Sequence, residues 1–139
     1  MKIPALLFLP FDLYGEMLAH VRSVPSEEVC GLLGGRESNA LLHFPIENVL
    51  HSADAFRMEA QSLVDAIYRM EQHDLILVAV YHSHPHGPGQ PSPRDLAENA
   101  YPEALYIIWS SHAKSESGWQ MCVFQLSSEK YEEVPWELV

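Results

Sequence analysis

Apolar positions follow two different periods along the chain, and the switches between them outline its elements. Residues 10–21 place Leu13, Met17, then Leu18 or His20 and Val21 at helical spacing, which predicts a helix after Leu9 that stops before Pro25-Ser26. Val29 to Gly35 reads as a strand closed by a glycine turn, and Ala40 to Leu50 as the strand returning from it. Glu59 to Gln72 carries Leu63, Ile67 and Met70 on one face, with Val64 and Tyr68 beside them, and predicts an amphipathic helix. Leu75 to Tyr81 is an unbroken apolar run rich in β-formers, the pattern of a central strand buried on both faces. A loop with Gly87, Pro88, Gly89, Pro91 and Pro93 comes next. Ser92 to Ala100 then predicts a short helix, with Ser92 as N-cap and Pro93 in its first position. Leu105 to Ser110 and Trp119 to Leu126 predict two further strands, and Tyr131 to Val139 a last one. Strands and helices mix without strict alternation, so the expected class is α/β of the mixed α+β kind, a central mixed β-sheet flanked by helices.

Composition narrows the partners. The 139 residues suit a single domain spanning 1–139, with no repeat, low-complexity tract or linker to divide it. Eight Lys+Arg against 19 Asp+Glu give a formal charge of −11, which argues against nucleic acid, because affinity for a phosphate backbone rests on Lys and Arg. An apolar fraction of 47% argues against a disordered acidic tail. The run Met1–Pro10 is short, carries prolines and is followed by Phe11-Asp12-Leu13-Tyr14 instead of a small-residue cleavage site, so it does not read as a signal peptide. No stretch nears the ~20 apolar residues that span a bilayer. Cys30 and Cys122 read as buried thiols, not a disulfide framework. The expected setting is cytoplasmic, with no membrane partner.

The chemistry gathers in residues 82–95. Side chains two apart on a strand share a face, so His82 and His84 project together just past the buried strand. Two adjacent imidazoles make an incomplete metal site, since catalytic zinc takes three protein ligands and keeps one position open. Asp95, in the first turn of the next helix, is placed to supply the third. A plainer account exists for part of this. Ser92-Pro93-Arg94-Asp95 is also close to a helix capping box. Capping, however, does not explain two histidines on one face beside it.

This stretch resembles the JAMM (MPN+) family of zinc metallopeptidases. The family motif, His-x-His, seven residues, Ser, two residues, Asp, is reproduced without a gap by His82, His84, Ser92 and Asp95. Glu28-Val29-Cys30-Gly31-Leu32-Leu33 matches the family's upstream Glu-x-x-Gly-Leu-Leu, and the likeness extends to Asn48 and to Leu105–Ser110. The resemblance implies a JAMM/MPN (cytidine-deaminase-like) fold. It implies that His82, His84 and Asp95 hold one Zn²⁺ and a water, although a His₂Asp set also tolerates Fe²⁺ or Mn²⁺. Glu28 would then accept the water's proton and pass it to the leaving amine, and Ser92 would hydrogen-bond the oxyanion. Glu27, also a surface acid before the strand, falls off the family position. His86 reads as loop, and His20, His43, His51, His73 and His112 show no ligand spacing.

Active family members cut peptide or isopeptide bonds at the C-terminus of ubiquitin or ubiquitin-like proteins. This chain has no room for long insertions and looks like the short stand-alone prokaryotic members, some of which process ubiquitin-like sulfur carriers. The expected partner is accordingly the C-terminal tail of such a carrier. Two alternatives stand beside it: an inactive MPN-type scaffold, and a JAMM peptidase acting on small peptides or amino-acid conjugates.

Overall fold

The structure, a computed structural model, describes residues 5–139, so the first four residues of the Met1–Pro10 run lie outside it. Eight strands and three helices follow in the order β1 (Leu7–Leu9), α1 (Phe11–Ser23), β2 (Cys30–Arg36), β3 (Asn39–Ile46), α2 (Ala60–Gln72), β4 (Ile76–His84), α3 (Pro93–Ala97), β5 (Leu105–Ser111), β6 (Trp119–Leu126), β7 (Tyr131–Val134) and β8 (Trp136–Leu138). All eight strands form one sheet in the order β7-β6-β5-β4-β2-β3-β1-β8. The β4–β5, β1–β3 and β1–β8 pairs are parallel and the rest antiparallel, the mixed sheet that the sequence predicts.

The predicted last strand is in fact two. Pro135 alone separates β7 from β8, yet these strands occupy opposite ends of the sheet order. Two residues of chain span only about 7 Å. The sheet must therefore curl until its two edges nearly meet at this proline, which has no N–H to give a ladder. The concave side wraps α1: Leu13, Met17 and Val21 pack with Leu33, Ala79, Ile107, Trp109 and Val123. The outer side carries α2, whose Ala66 and Met70 pack with Leu32, Val80, Ile108 and Phe124. On α2 the predicted flanking residues Val64 and Tyr68 face solvent, 59% and 61% exposed.

The glycines after Val29 do not turn the chain. Gly31, Gly34 and Gly35 all lie within β2, and the turn falls at Glu37, whose φ is 54°. What these glycines give up is their Cβ. A side-chain carbon at Gly31 would collide with the Tyr81 ring, and one at Gly35 with the Asn39 carbonyl. Bulges in both ladders of β2 accompany this close packing. The β2–β4 register shifts between Leu33 and Gly34, and the β2–β3 register between Gly34 and Gly35. With β2 antiparallel to β4, and Cys30 paired to His82, the start of one strand lies beside the end of the other. That juxtaposition places Glu28 next to the histidines.

Candidate metal centre

Strand β4 runs on through His84, so both histidines belong to the sheet itself. His82 is fully buried and His84 is 6% exposed. Their Nε2 atoms lie 3.1 Å apart. The Asp95 carboxylate spans the pair, with Oδ1 3.2 Å from His82 Nε2 and Oδ2 3.3 Å from His84 Nε2. Phe56 stacks on the His82 ring at a centroid distance of 4.7 Å. His84 Nδ1–H donates to the Pro88 carbonyl at 2.7 Å, so its neutral ring presents a bare Nε2 to the cluster.

Bare nitrogen lone pairs and a carboxylate turned toward one another repel unless a cation sits among them. In a metal-free protein a proton does part of that work. Burial disfavours charge on His84, but Asp95, the Pro88 carbonyl and Glu28 outweigh it and raise its pKa above the usual value. His82 is pushed the other way by burial and stays neutral. Burial alone would raise Asp95, yet its hydrogen bonds with the two histidines hold it well below the ordinary carboxylate range. The spacing also suits a metal. Tetrahedral zinc with bonds of about 2.0–2.1 Å places neighbouring ligand atoms roughly 3.3 Å apart. The donor set fits such an ion.

Glu28 completes the cluster. One of its carboxylate oxygens and a nitrogen from each histidine all lie within 4.8 Å of one another, so geometry alone admits Glu28, His82 and His84 as a metal-holding group. The electrostatics separate the two acids. Burial pushes Glu28 up to about 7, with Asp95 and Asp54 adding to the rise. Asp95 is a standing anion, and Glu28 is poised to exchange a proton near neutral pH.

Neighbouring loops fix Glu28 through its backbone. Its N–H donates to the Ser52 carbonyl at 2.8 Å, and its carbonyl accepts from Asn48 Nδ2 at 2.9 Å. Asn48 is buried and uses its whole side chain: Nδ2 also donates to Ala55, and Oδ1 accepts from Leu50 and Arg57. Ser83, between the two histidines, faces the other way. Its Oγ accepts from Val29 N–H at 2.8 Å and donates to the Glu27 carbonyl at 3.4 Å. Asn48 enters the sequence reading only through the family likeness. Ser83 and Phe56 were missed there. A serine between two same-face histidines in a buried strand was a readable signal for Ser83, whereas nothing local marks Phe56.

The capping box and the ligand role of Asp95 are not rivals. Ser92 Oγ accepts from Asp95 N–H at 3.1 Å, while Asp95 Oδ2 accepts from Ser92 N–H at 2.8 Å. The hydroxyl caps the helix as an acceptor, which leaves its own proton free to donate. His86 is exposed in the loop, as the sequence reading has it. His20 and His43 lie on the opposite face of β4, on either side of Tyr81.

A family profile described as prokaryotic homologs of the JAB domain matches residues 10–122. The chain belongs to this family, the prokaryotic branch of the JAMM group that its motif resembles, and it is a JAMM-type hydrolase. A probable TtuB-protein conjugate cleaving protease from Thermus thermophilus is 39% identical over 107 residues, 76% of this chain and 70% of that one. A CysO-cysteine peptidase from Mycobacterium bovis is 31% identical over 76% of this chain and 73% of its own length. A desampylase from Pyrococcus furiosus is 37% identical over 60% of this chain and 59% of its own. Among solved structures, a Desulfitobacterium hafniense protein matches with a TM-score of 0.83 and 27% identity, covering 96% of this chain and 92% of that one.

Proposed function

We propose that the protein is a zinc-dependent peptidase or isopeptidase that cuts the bond at the C-terminus of a ubiquitin-like sulfur-carrier protein. The observation that carries this reading is the convergence of His82 Nε2, His84 Nε2 and the Asp95 carboxylate within 3.1–3.3 Å, with the Glu28 carboxylate beside them. The relatives support the substrate class, since their names refer to TtuB conjugates, CysO-cysteine and desampylation.

In this reading His82, His84 and Asp95 hold the zinc. Zinc supplies Lewis acidity, which makes water a competent nucleophile near neutral pH. Glu28 takes the proton of the attacking water and delivers it to the departing amine, a task suited to a carboxyl held at about 7. Ser92 donates its free hydroxyl proton to the carbonyl oxygen as charge develops there. Phe56 and the buried end of β4 shield the set from bulk water. We take 1–139 as one catalytic domain, in keeping with the pairing of β1 and β8 from its two ends. No helix among the described residues is long and apolar enough to cross a membrane. Two unpaired thiols, Cys30 and Cys122, suit a cytoplasmic setting.

The test is native mass spectrometry followed by turnover. One zinc per chain and cleavage of carriers ending in Gly-Gly, with unrelated short peptides left intact, is the expected result. Equal cleavage of unrelated peptides would overturn the carrier reading, and failure to retain zinc would overturn the metal site.

A further inference from the structure

A cavity of about 270 Å³ opens beside the donor set, and the catalytic roles above leave it without a task. Phe56, Met58, Leu63, Val80, Tyr101 and Tyr106 give it an apolar lining, and Arg57, Asp95 and Glu98 form its charged rim. Two of its walls thus touch the proposed metal ligands directly, because Phe56 is also the ring stacked on His82. Its size lies just below the range of pockets that take whole small molecules and leaves room for one large apolar side chain.

We infer that this cavity is a specificity pocket that receives one apolar side chain, of leucine or methionine size, from the acyl-side tail of the substrate. The inference rests on the hydrolase reading and deepens it. Two observations assign the side. Glu28, which delivers a proton to the leaving amine, does not line this cavity; it lines a separate one with Glu27, Asn48 and His51. The leaving group therefore departs toward Glu28, and the acyl chain lies toward Asp95. A tail ending in Gly-Gly has no side chain in its last two positions. At roughly 3.3 Å per extended residue, the third residue from the end is the first that can drop a side chain into a hollow beside the metal ligands.

The apolar lining also sets the sign of selectivity. An aliphatic side chain leaves water for this cavity, whereas an acidic one loses its hydration and meets two carboxylates, Asp95 and Glu98, against the single guanidinium of Arg57. Leu63, on α2, is the lining residue to alter, since it has no assigned part in the proposed metal site.

The experiment uses zinc-loaded protein and fluorescent carrier tails ending in Leu-Gly-Gly, Ala-Gly-Gly or Asp-Gly-Gly, with binding read by anisotropy and cleavage by kcat/KM. The expected result is binding and kcat/KM about tenfold better for leucine than alanine, and weaker still for aspartate. Leu63→Trp, which narrows the cavity, is expected to remove the preference for leucine over alanine while leaving zinc stoichiometry unchanged. Cleavage with no preference among the three tails overturns the pocket and leaves the hydrolase standing. Selective binding with no cleavage keeps the pocket and overturns the hydrolase. Neither binding nor cleavage overturns both. A Leu63→Trp protein that still prefers leucine by tenfold also overturns the pocket.

Discussion

Asp95 and Ser92 hold each other reciprocally, and the Asp95 oxygen that accepts the Ser92 N–H at 2.8 Å is the same one that lies 3.3 Å from His84 Nε2. A local rule for starting a helix thereby also aims a carboxylate at the histidines. The sequence reading set capping and metal binding side by side as alternatives. In the structure one residue has the geometry for both, because a carboxylate has two oxygens and about four lone-pair directions.

Replacing Ser92 separates its two jobs. Ser92→Ala removes the acceptor for Asp95 N–H and the donor proposed for the oxyanion. Loss of the cap is expected to cost about 1 kcal/mol of stability. Loss of the donor is expected to lower kcat by roughly 10²–10³-fold. Zinc content measured on the same preparation decides the matter. Retained zinc with reduced kcat supports the oxyanion role, and a parallel loss of zinc would reduce Ser92 to a support for Asp95.

Asp95→Asn and Asp95→Ala divide the same problem from the other side. Asparagine keeps an oxygen that accepts the Ser92 N–H, so the helix start survives while the charge is lost. Alanine loses both. Each variant is expected to weaken zinc binding by more than about a hundredfold, beyond the effect of losing an outer hydrogen-bond partner. Competition titration with a chromophoric chelator measures it. If asparagine binds zinc as tightly as aspartate, the carboxylate charge has no part in holding the metal.

Glu28 should expose a conflict between activity and stability. Its carboxyl is raised from 4.5 to about 7 by burial, so the folded state prefers the protonated form more than the unfolded chain does. Such a group favours folding below pH 4.5, and that contribution is lost as pH rises through 7. Glu28→Gln mimics the protonated form at every pH. In metal-free protein it is expected to raise stability by about 1–3 kcal/mol at pH 8 and by nothing near pH 4.5. The same change is expected to lower the rate by about 10²–10⁴-fold in the zinc-loaded enzyme. Denaturant melts at the two pH values and a rate assay provide the check, and a pH-independent difference in stability would contradict the assigned burial effect.

Most of the proposed site was legible in the sequence because its geometry is local. His82 and His84 share a face by strand period, and Asp95 follows Ser92 by helix-start chemistry. Glu28 was harder, since it lies 54 residues before His82, and only the family spacing pointed to it. What brings it there is the antiparallel pairing of Cys30 with His82. The elements were also legible, apart from β1 (Leu7–Leu9), which the sequence reading did not foresee, and two failures that share a cause. A glycine-rich segment reads locally as a turn, yet Gly31 and Gly35 are glycines because Tyr81 and Asn39 press against them from elsewhere in the fold. Residues 131–139 read as one strand because no local pattern says that Pro135 joins opposite edges of a curled sheet. Phe56, stacked on His82, and Asn48, bonded to the Glu28 carbonyl, act through contacts made by the fold, which periodicity does not encode.

The reverse face of β4 carries the last prediction. Tyr81 Oη lies 2.6 Å from His20 Nδ1 and 2.7 Å from His43 Nε2, and His43 Nδ1 lies 3.1 Å from Glu16 Oε1. One proton arrangement satisfies the chain: His43 donates to Glu16, Tyr81 donates to His43, and His20 donates to Tyr81. It requires both histidines to be neutral, and burial lowers the pKa of each below 6.5, with the neighbouring imidazole lowering His20 further. For a base lowered on folding, the unfolded chain binds more protons once pH drops below 6.5. Stability is therefore full above that value and falls as pH decreases through it, by at most about 1.4 kcal/mol per histidine per pH unit. Wild type is expected to lose melting temperature between pH 7.5 and 5.5 more steeply than a His20→Gln/His43→Gln double variant. The double variant is expected to keep its zinc at pH 7.5, because neither histidine is a proposed ligand and both bond to Tyr81, on the face of β4 away from His82 and His84. Tyr81→Phe, which leaves a buried imidazole nitrogen without its donor, is expected to cost about 1–3 kcal/mol at pH 7.5. Identical pH slopes for wild type and the double variant would show that the two histidines take up protons equally in the folded and unfolded states.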